Sequence, residues 1–391
     1  LATKGDAEVR DHPIFNDEHR AIRKTIREFV LKELAPHAEE WEEAGEFPRW
    51  VFERMGELGF LGLQYPEEYG GQGGDYLSGV VFAEELSRCH SGGVSMGVGV
   101  QTDMVCPLLL KVGSESVKER FLKPALQGRK VGCLCITEPD AGSDVAGLRA
   151  TVEQDGNRYL LNGQKTFITN GVRADFAIVV ARARGTEGAK GISLFIVEKG
   201  TPGFIVGRKL DKVGMRSSDT AELAFQDCPV LPENLLGEEG QGFYHIMWEL
   251  QPERLFGAVT AVAGAQISLE TTLKYVRERH QFGRPIGKFQ AVRHRLAELA
   301  TQIEAARQLT YYVAGLINAG EYPAKEISMA KLFATRVACQ AADEAMQFHG
   351  GYGYMMEYPV QRFWRDSRLA RIGGGTDEIM LEIISRQLVG L

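Results

Sequence analysis

The hydrophobic period changes twice along this chain, and that change constrains the fold more than any other feature. In the first third, Ile22, Ile26, Phe29, Val30 and Leu34 recur at helical spacing. Asn16 is placed to cap this helix, Asp17 and Glu18 fall in its first turn, and Pro36 marks its expected end. Further helical stretches are expected around 48–59, 77–89 and 114–127. Near Val131 the pattern turns strand-like and stays so to about Gly237. Asp155-Gly156 and Asn162-Gly163 read as hairpin turns, and Phe176–Val180 and Ile192–Val197 as buried strands. After Gln241 helical spacing returns over 243–279, 289–319, 324–348 and 376–389, lengths that suit a bundle. The expected organisation is α+β: an N-terminal helical domain over 1–130, a β-barrel-like domain over 131–240 and a four-helix bundle over 241–391.

Composition narrows the function. At 44% hydrophobic and 25% charged the chain is an ordinary globular one, and 391 residues suggest two or three domains. A formal net charge of -7 argues against nucleic acid or an anionic membrane as the main partner. No apolar run reaches the ~18 residues of a membrane span; 255–269 comes nearest and is broken by small and polar residues. The six cysteines form no Cys-x-x-Cys pair or disulfide framework, which fits a reducing compartment. No Cys/His spacing suggests a metal. The N-terminus shows no basic-then-apolar signal, and a chain beginning at Leu1 leaves a processed or truncated end open. The glycines at 70–74 fit neither a phosphate loop nor a dinucleotide fingerprint and read as a turn.

Four motifs then stand in order on this α-β-α layout: Thr137-Glu-Pro-Asp-Ala-Gly-Ser-Asp144, Gln281-Phe-Gly283 after Arg279, Gln347-Phe-His-Gly-Gly351 and Gly374-Gly-Thr376. Together they resemble the acyl-CoA dehydrogenase family across nearly the whole chain, with the long-chain and citronellyl-CoA types most similar. The resemblance implies an FAD-dependent α,β-dehydrogenation of an acyl-CoA thioester to the trans-2-enoyl form. Such chemistry needs a hydride acceptor, a carboxylate near the α-carbon and donors at the thioester oxygen.

In most of this family the base lies in a Glu-Gly-Thr sequence, and here that position is Gly374. The resemblance to long-chain and isovaleryl types places the base instead on a long helix, at Glu253 of Glu249-Leu-Gln-Pro-Glu-Arg-Leu255. Phe243, Ile246, Met247, Leu250 and Gly257 form an apolar stripe; Glu253 and Arg254 project beside it, and Glu249 lies further round. An inward carboxylate is either a base or half of a buried ion pair. Glu249 and Glu378 stand as rival bases. The backbone N–H of Gly374 is expected to remain half of the oxyanion hole.

The resemblance assigns further roles. Leu134, Ile136 and Thr137 would line the flavin ring, with Gly142 and Ser143 near its pyrophosphate. Phe167, Ile168 and Thr169, after the Asn162-Gly163 turn, would also contact the flavin, Thr169 by a hydrogen bond near its N5 and Phe167 where the family often has Trp. Arg279, Gln281, Phe282 and Gln290 would reach the FAD of a neighbouring subunit, and Gln347, Phe348, His349, Gly350, Gly351, Thr376 and Glu378 would add contacts. Ser143, Tyr244, Arg254 and Gly375 would meet the acyl-CoA, Arg254 at its phosphates. A homotetramer, as a dimer of dimers, and an electron-transfer flavoprotein as acceptor are implied as well. The rival readings are an acyl-CoA oxidase or flavin monooxygenase on the same fold, and a catalytically silent acyl-CoA-binding protein. Acyl length and branching stay open between long straight and β-methyl-branched chains. The compartment stays open between bacterial cytoplasm, which is preferred, and mitochondrial matrix.

Overall fold

The computed structural model describes residues 12–390. Among the described residues two compact units emerge, one comprising residues 12–39, 76–92 and 254–390, the other 40–75 and 93–253. The break falls inside one continuous helix, Gly242–Glu278, between Glu253 and Arg254.

The second unit is built on an eight-stranded sheet. Its strands are β1 (Gly132–Cys135), β2 (Thr151–Asp155), β3 (Arg158–Thr169), β4 (Phe176–Ala183), β5 (Ile192–Glu198), β6 (Phe204–Lys209), β7 (Thr220–Val230) and β8 (Leu235–Leu236). The order is β6-β7-β3-β2-β4-β5-β8, with β1 parallel to β4. Alternation along β4 divides two cores. Phe176, Ile178 and Val180 face Val105, Leu109, Phe121 and Leu122, while Ala177, Val179 and Ala181 face Leu161, Leu223 and Phe225. Leu134 joins the first core and Cys133 and Cys135 the second.

Asp155-Gly156 opens the β2–β3 hairpin as expected, with Gly156 at φ +62°. Asn162-Gly163 does not turn. It lies inside β3, where the register against β7 shifts between Leu161 and Gly163. A glycine within a strand marks a bulge or a close approach, and a Cβ at Gly163 would sit 2.6 Å from that of Ala150.

The helix under the first core was not anticipated. Gly92–Val112 is long and apolar enough to cross a membrane by length and composition, yet most of it is buried inside the protein. Its glycines hide it from propensity, and packing explains them: a Cβ at Gly97 would come 2.7 Å from the Phe47 ring. Pro36 likewise fails to end the first helix. Asp17–Phe29, capped by Asn16, continues through a π-turn, a 3-10 turn holding Pro36 and a helix over Ala38–Ala44.

In the first unit, Gln290–Asn318, Ala324–His349 and Asp377–Val389 match the expected helices closely, and a short helix Val360–Ser367 is added. Buried charges join its parts. Arg23 pairs with Glu84 and Glu85, and the Tyr311 hydroxyl donates to Glu84 at 2.5 Å.

Candidate active site

In the second unit, the sequence-predicted flavin residues come together at the end of β1 and β3. The Thr166 N–H donates to the Thr137 carbonyl at 2.9 Å. Lys165 Nζ donates to the Ile136 carbonyl at 3.0 Å and to Glu138 Oε1 at 2.7 Å. Glu138 in turn accepts the Arg149 and Ala150 N–H groups at 2.6 and 2.9 Å. The 136–138 turn is therefore fixed from one side by a buried ion pair whose side chains are 0% and 5% exposed. Burial lowers the Lys165 pKa, opposed by the attraction of Glu138.

Phe167 follows immediately. A register shift between Lys165 and Ile168 turns its side chain outward, 69% exposed, at φ +60°. A bulky residue in the left-handed region is a true outlier, and such strain concentrates at functional sites. Ile168 is buried and Thr169 half-buried. Gly142 and Ser143 are exposed, and a Cβ at Gly142 would meet nothing.

In the first unit, Arg279, Gln281, Phe348, His349, Gly350 and Gly351 line one cavity of about 510 Å³ with Tyr275, Ile286, Tyr352 and Met355. The sequence reading missed the last four. Tyr275 was detectable, because it lies one helical turn before Arg279. Its ring stacks on His349 at 4.0 Å. His349 Nδ1 lies 2.7 Å from the Ala345 carbonyl, and burial lowers its pKa. Arg279 lies over the Tyr352 ring at 5.4 Å. Gly350, at φ +57°, caps the Ala324–His349 helix through its N–H to the Gln347 carbonyl. Phe282 stands outside this cavity lining, 92% exposed at φ +50° between two short strands. Gln290 pairs with His294 at 3.3 Å.

The Gly374 loop occupies another part of this unit. Arg254 Nε donates to the Gly374 carbonyl at 2.8 Å, and Lys331 Nζ to the Gly375 carbonyl at 2.5 Å. Arg254 is only 4% exposed. Its Nε thereby ties the helix to the loop backbone. Thr376 caps the Asp377–Val389 helix by accepting the Ile379 N–H. Hydrogen bonds from its own N–H and from Thr376 lower the pKa of Glu378, which makes it a weaker base.

On the Gly242–Glu278 helix, Tyr244 is 61% exposed, Glu253 half-buried and Glu249 0% exposed. The expectation that Glu249 lies away from the interior is corrected. Both Ile246 and Glu249 are buried, as are Arg254, Leu255 and Phe256, so burial spans more of the helix than one stripe. Among the described residues no group of His, Cys, Asp or Glu could hold a metal.

The comparisons agree with this architecture. The Acyl-CoA dehydrogenase N-terminal, middle and C-terminal domain profiles match residues 16–129, 133–228 and 240–389. The chain is 42% identical over 378 residues to the mitochondrial long-chain specific acyl-CoA dehydrogenase of Mus musculus, covering 96% of this chain and 87% of that protein. It is 41% identical over 377 residues to the mitochondrial isovaleryl-CoA dehydrogenase of Solanum tuberosum, covering 96% and 91%. The crystal structure of acyl-CoA dehydrogenase from Geobacillus kaustophilus matches with a TM-score of 0.94 at 43% identity, covering 97% of this chain and all of that one. The fold is that of a flavin-dependent oxidoreductase, helical at both ends with a sheet domain between. The chain belongs to the acyl-CoA dehydrogenase family.

Proposed function

We propose that this chain binds FAD and oxidises a long-chain acyl-CoA to its trans-2-enoyl thioester, with Glu253 as the base. The observation that carries the reading is the bond from Arg254 to the Gly374 carbonyl. It anchors the residue after Glu253 to the loop whose amide suits the thioester oxygen. Relatives named for long-chain and for isovaleryl substrates are similar to this chain at nearly equal identity. The long-chain choice is therefore our own, with β-methyl-branched chains as its rival.

The residues fit FAD. An outward, strained Phe167 beside the fixed Thr137 turn offers an aromatic face. The cavity holding Arg279, Gln281 and the Gly350-Gly351 pair offers a cation and open backbone to a pyrophosphate or adenine. Leu134, Ile136, Thr137, Gly142, Ser143, Ile168 and Thr169 would hold the flavin end. Phe282, Gln290, Gln347, Phe348, His349, Thr376 and Glu378 would complete the binding, some of them toward a neighbouring subunit's cofactor in a homotetramer. When bound, FAD supplies the acceptor for the β-hydride.

The chain's own residues do the rest. Glu253, half-buried on the Gly242–Glu278 helix, takes the α-proton. The Gly374 N–H donates to the thioester oxygen as charge develops there. Ser143, Tyr244 and Gly375 position the acyl-CoA, and Arg254 holds the loop. An electron-transfer flavoprotein is proposed as the acceptor, on family likeness.

The test is anaerobic mixing of the purified yellow protein with saturated acyl-CoAs of graded length and branching. Loss of flavin absorbance, fastest with long straight chains, is expected. Fastest bleaching with β-methyl-branched chains would overturn the substrate choice, and no bleaching with any of them would overturn the activity.

A further inference from the structure

Two buried cations converge on consecutive carbonyls of the Gly374 loop. Arg254 reaches the Gly374 oxygen from the Gly242–Glu278 helix, and Lys331 reaches the Gly375 oxygen from the Ala324–His349 helix. Lys331 is 2% exposed. Withdrawing an ammonium from water is costly unless its donors are met. Methionine would fill similar space without that cost, so packing alone does not explain the lysine.

The loop is held on both flanks. The Gly373 N–H donates to the Leu369 carbonyl at 3.0 Å, and Thr376 begins the Asp377–Val389 helix. Gly375 has φ +105°, and a Cβ there would come 2.8 Å from Met380 Cε. This backbone therefore needs glycine. The carbonyls of two successive peptides point at positive charges, which orients those peptide dipoles and raises the potential along the loop. A raised potential favours negative charge nearby, such as that developing on a thioester oxygen.

We propose that Lys331 is a positioning residue for the oxyanion site, acting through the Gly375 carbonyl rather than by touching substrate. The inference rests on the reading that the Gly374 N–H binds the thioester oxygen.

The test compares two ligands by calorimetry on the FAD-loaded enzyme: a long-chain 2-enoyl-CoA and the matching S-alkyl-CoA thioether, which lacks the carbonyl oxygen. Wild type should bind the thioester more tightly. Lys331→Met should weaken thioester binding roughly tenfold or more, the scale of one charge-assisted hydrogen bond. Thioether binding should stay within about twofold, because that ligand presents no oxyanion. Lys331→Gln keeps a donor without the charge and serves the same comparison if the methionine variant does not fold. Equal weakening of both ligands would mark a merely structural lysine and overturn the proposal, as would no change in either. A wild type that does not prefer the thioester would overturn the oxyanion reading itself, an outcome visible before any variant is made.

Discussion

Arg254 and Gly374 lie 120 positions apart in sequence, yet the guanidinium Nε donates to the glycine carbonyl at 2.8 Å. A guanidinium is a planar fork, and a lysine ammonium at the same place keeps charge but not that geometry. Arg254→Lys should fold, since the buried charge survives. Its kcat should fall by roughly tenfold, consistent with loss of about one oriented hydrogen bond. Steady-state kinetics check this; an unchanged kcat would remove the loop anchor from the account.

Phe167 carries backbone strain that the flavin contact proposed for it would account for. Its left-handed backbone costs about 1–2 kcal/mol in an L-residue other than Gly or Asn, and its ring is 69% exposed. Phe167→Asn should leave the flavin-free protein as stable or up to about 1 kcal/mol more stable. The same variant should lose flavin on desalting. Thermal melts of the flavin-free form and flavin content after gel filtration give both readings.

The Lys165–Glu138 pair holds the turn that carries Thr137. Removing one partner leaves an uncompensated buried charge, at a cost of about 3–5 kcal/mol. Lys165→Met and Glu138→Gln should each destabilise on that scale. The double variant should lose clearly less than the sum. Denaturant unfolding of all four proteins measures the difference, and strict additivity would contradict the coupling.

Asp103 gives a pH signature. It is buried beside Thr102, whose hydroxyl donates to it at 2.7 Å, and burial pushes its carboxyl from 3.8 up to about 7. Between those values the folded chain holds a proton that the unfolded chain has released. Its contribution to stability therefore falls as pH rises through that window, by up to about 1.4 kcal/mol per unit. Asp103→Asn should remove this slope, so its melting temperature should gain on wild type as pH rises from about 4 to about 7. Parallel melting curves would contradict the assignment.

Much of this was legible in the sequence because it is local. Helical spacing located the helices after Gln241, and Asp155-Gly156 located a hairpin. Gly92–Val112 was not legible, since its glycines answer to Phe47 and Ser217, residues far away in the chain. Asn162-Gly163 looked like a turn because a two-residue signal cannot report that a strand is bulging against a partner. At the site, motifs pointed to Arg279 and the Gly350-Gly351 pair, which share a cavity. Lys165 and Lys331 escaped notice because a buried lysine carries no sequence mark of burial; only the carbonyls it meets reveal its role.

Glu253→Gln tests the central claim most directly. The substitution keeps size and removes the basic carboxylate. Mixed anaerobically with the acyl-CoA that best bleaches wild type, the variant should bind flavin and ligand normally and reduce flavin roughly a hundredfold to ten-thousandfold more slowly, the range expected for loss of a general base. Reduction at the wild-type rate would place the base elsewhere and contradict the assignment of Glu253.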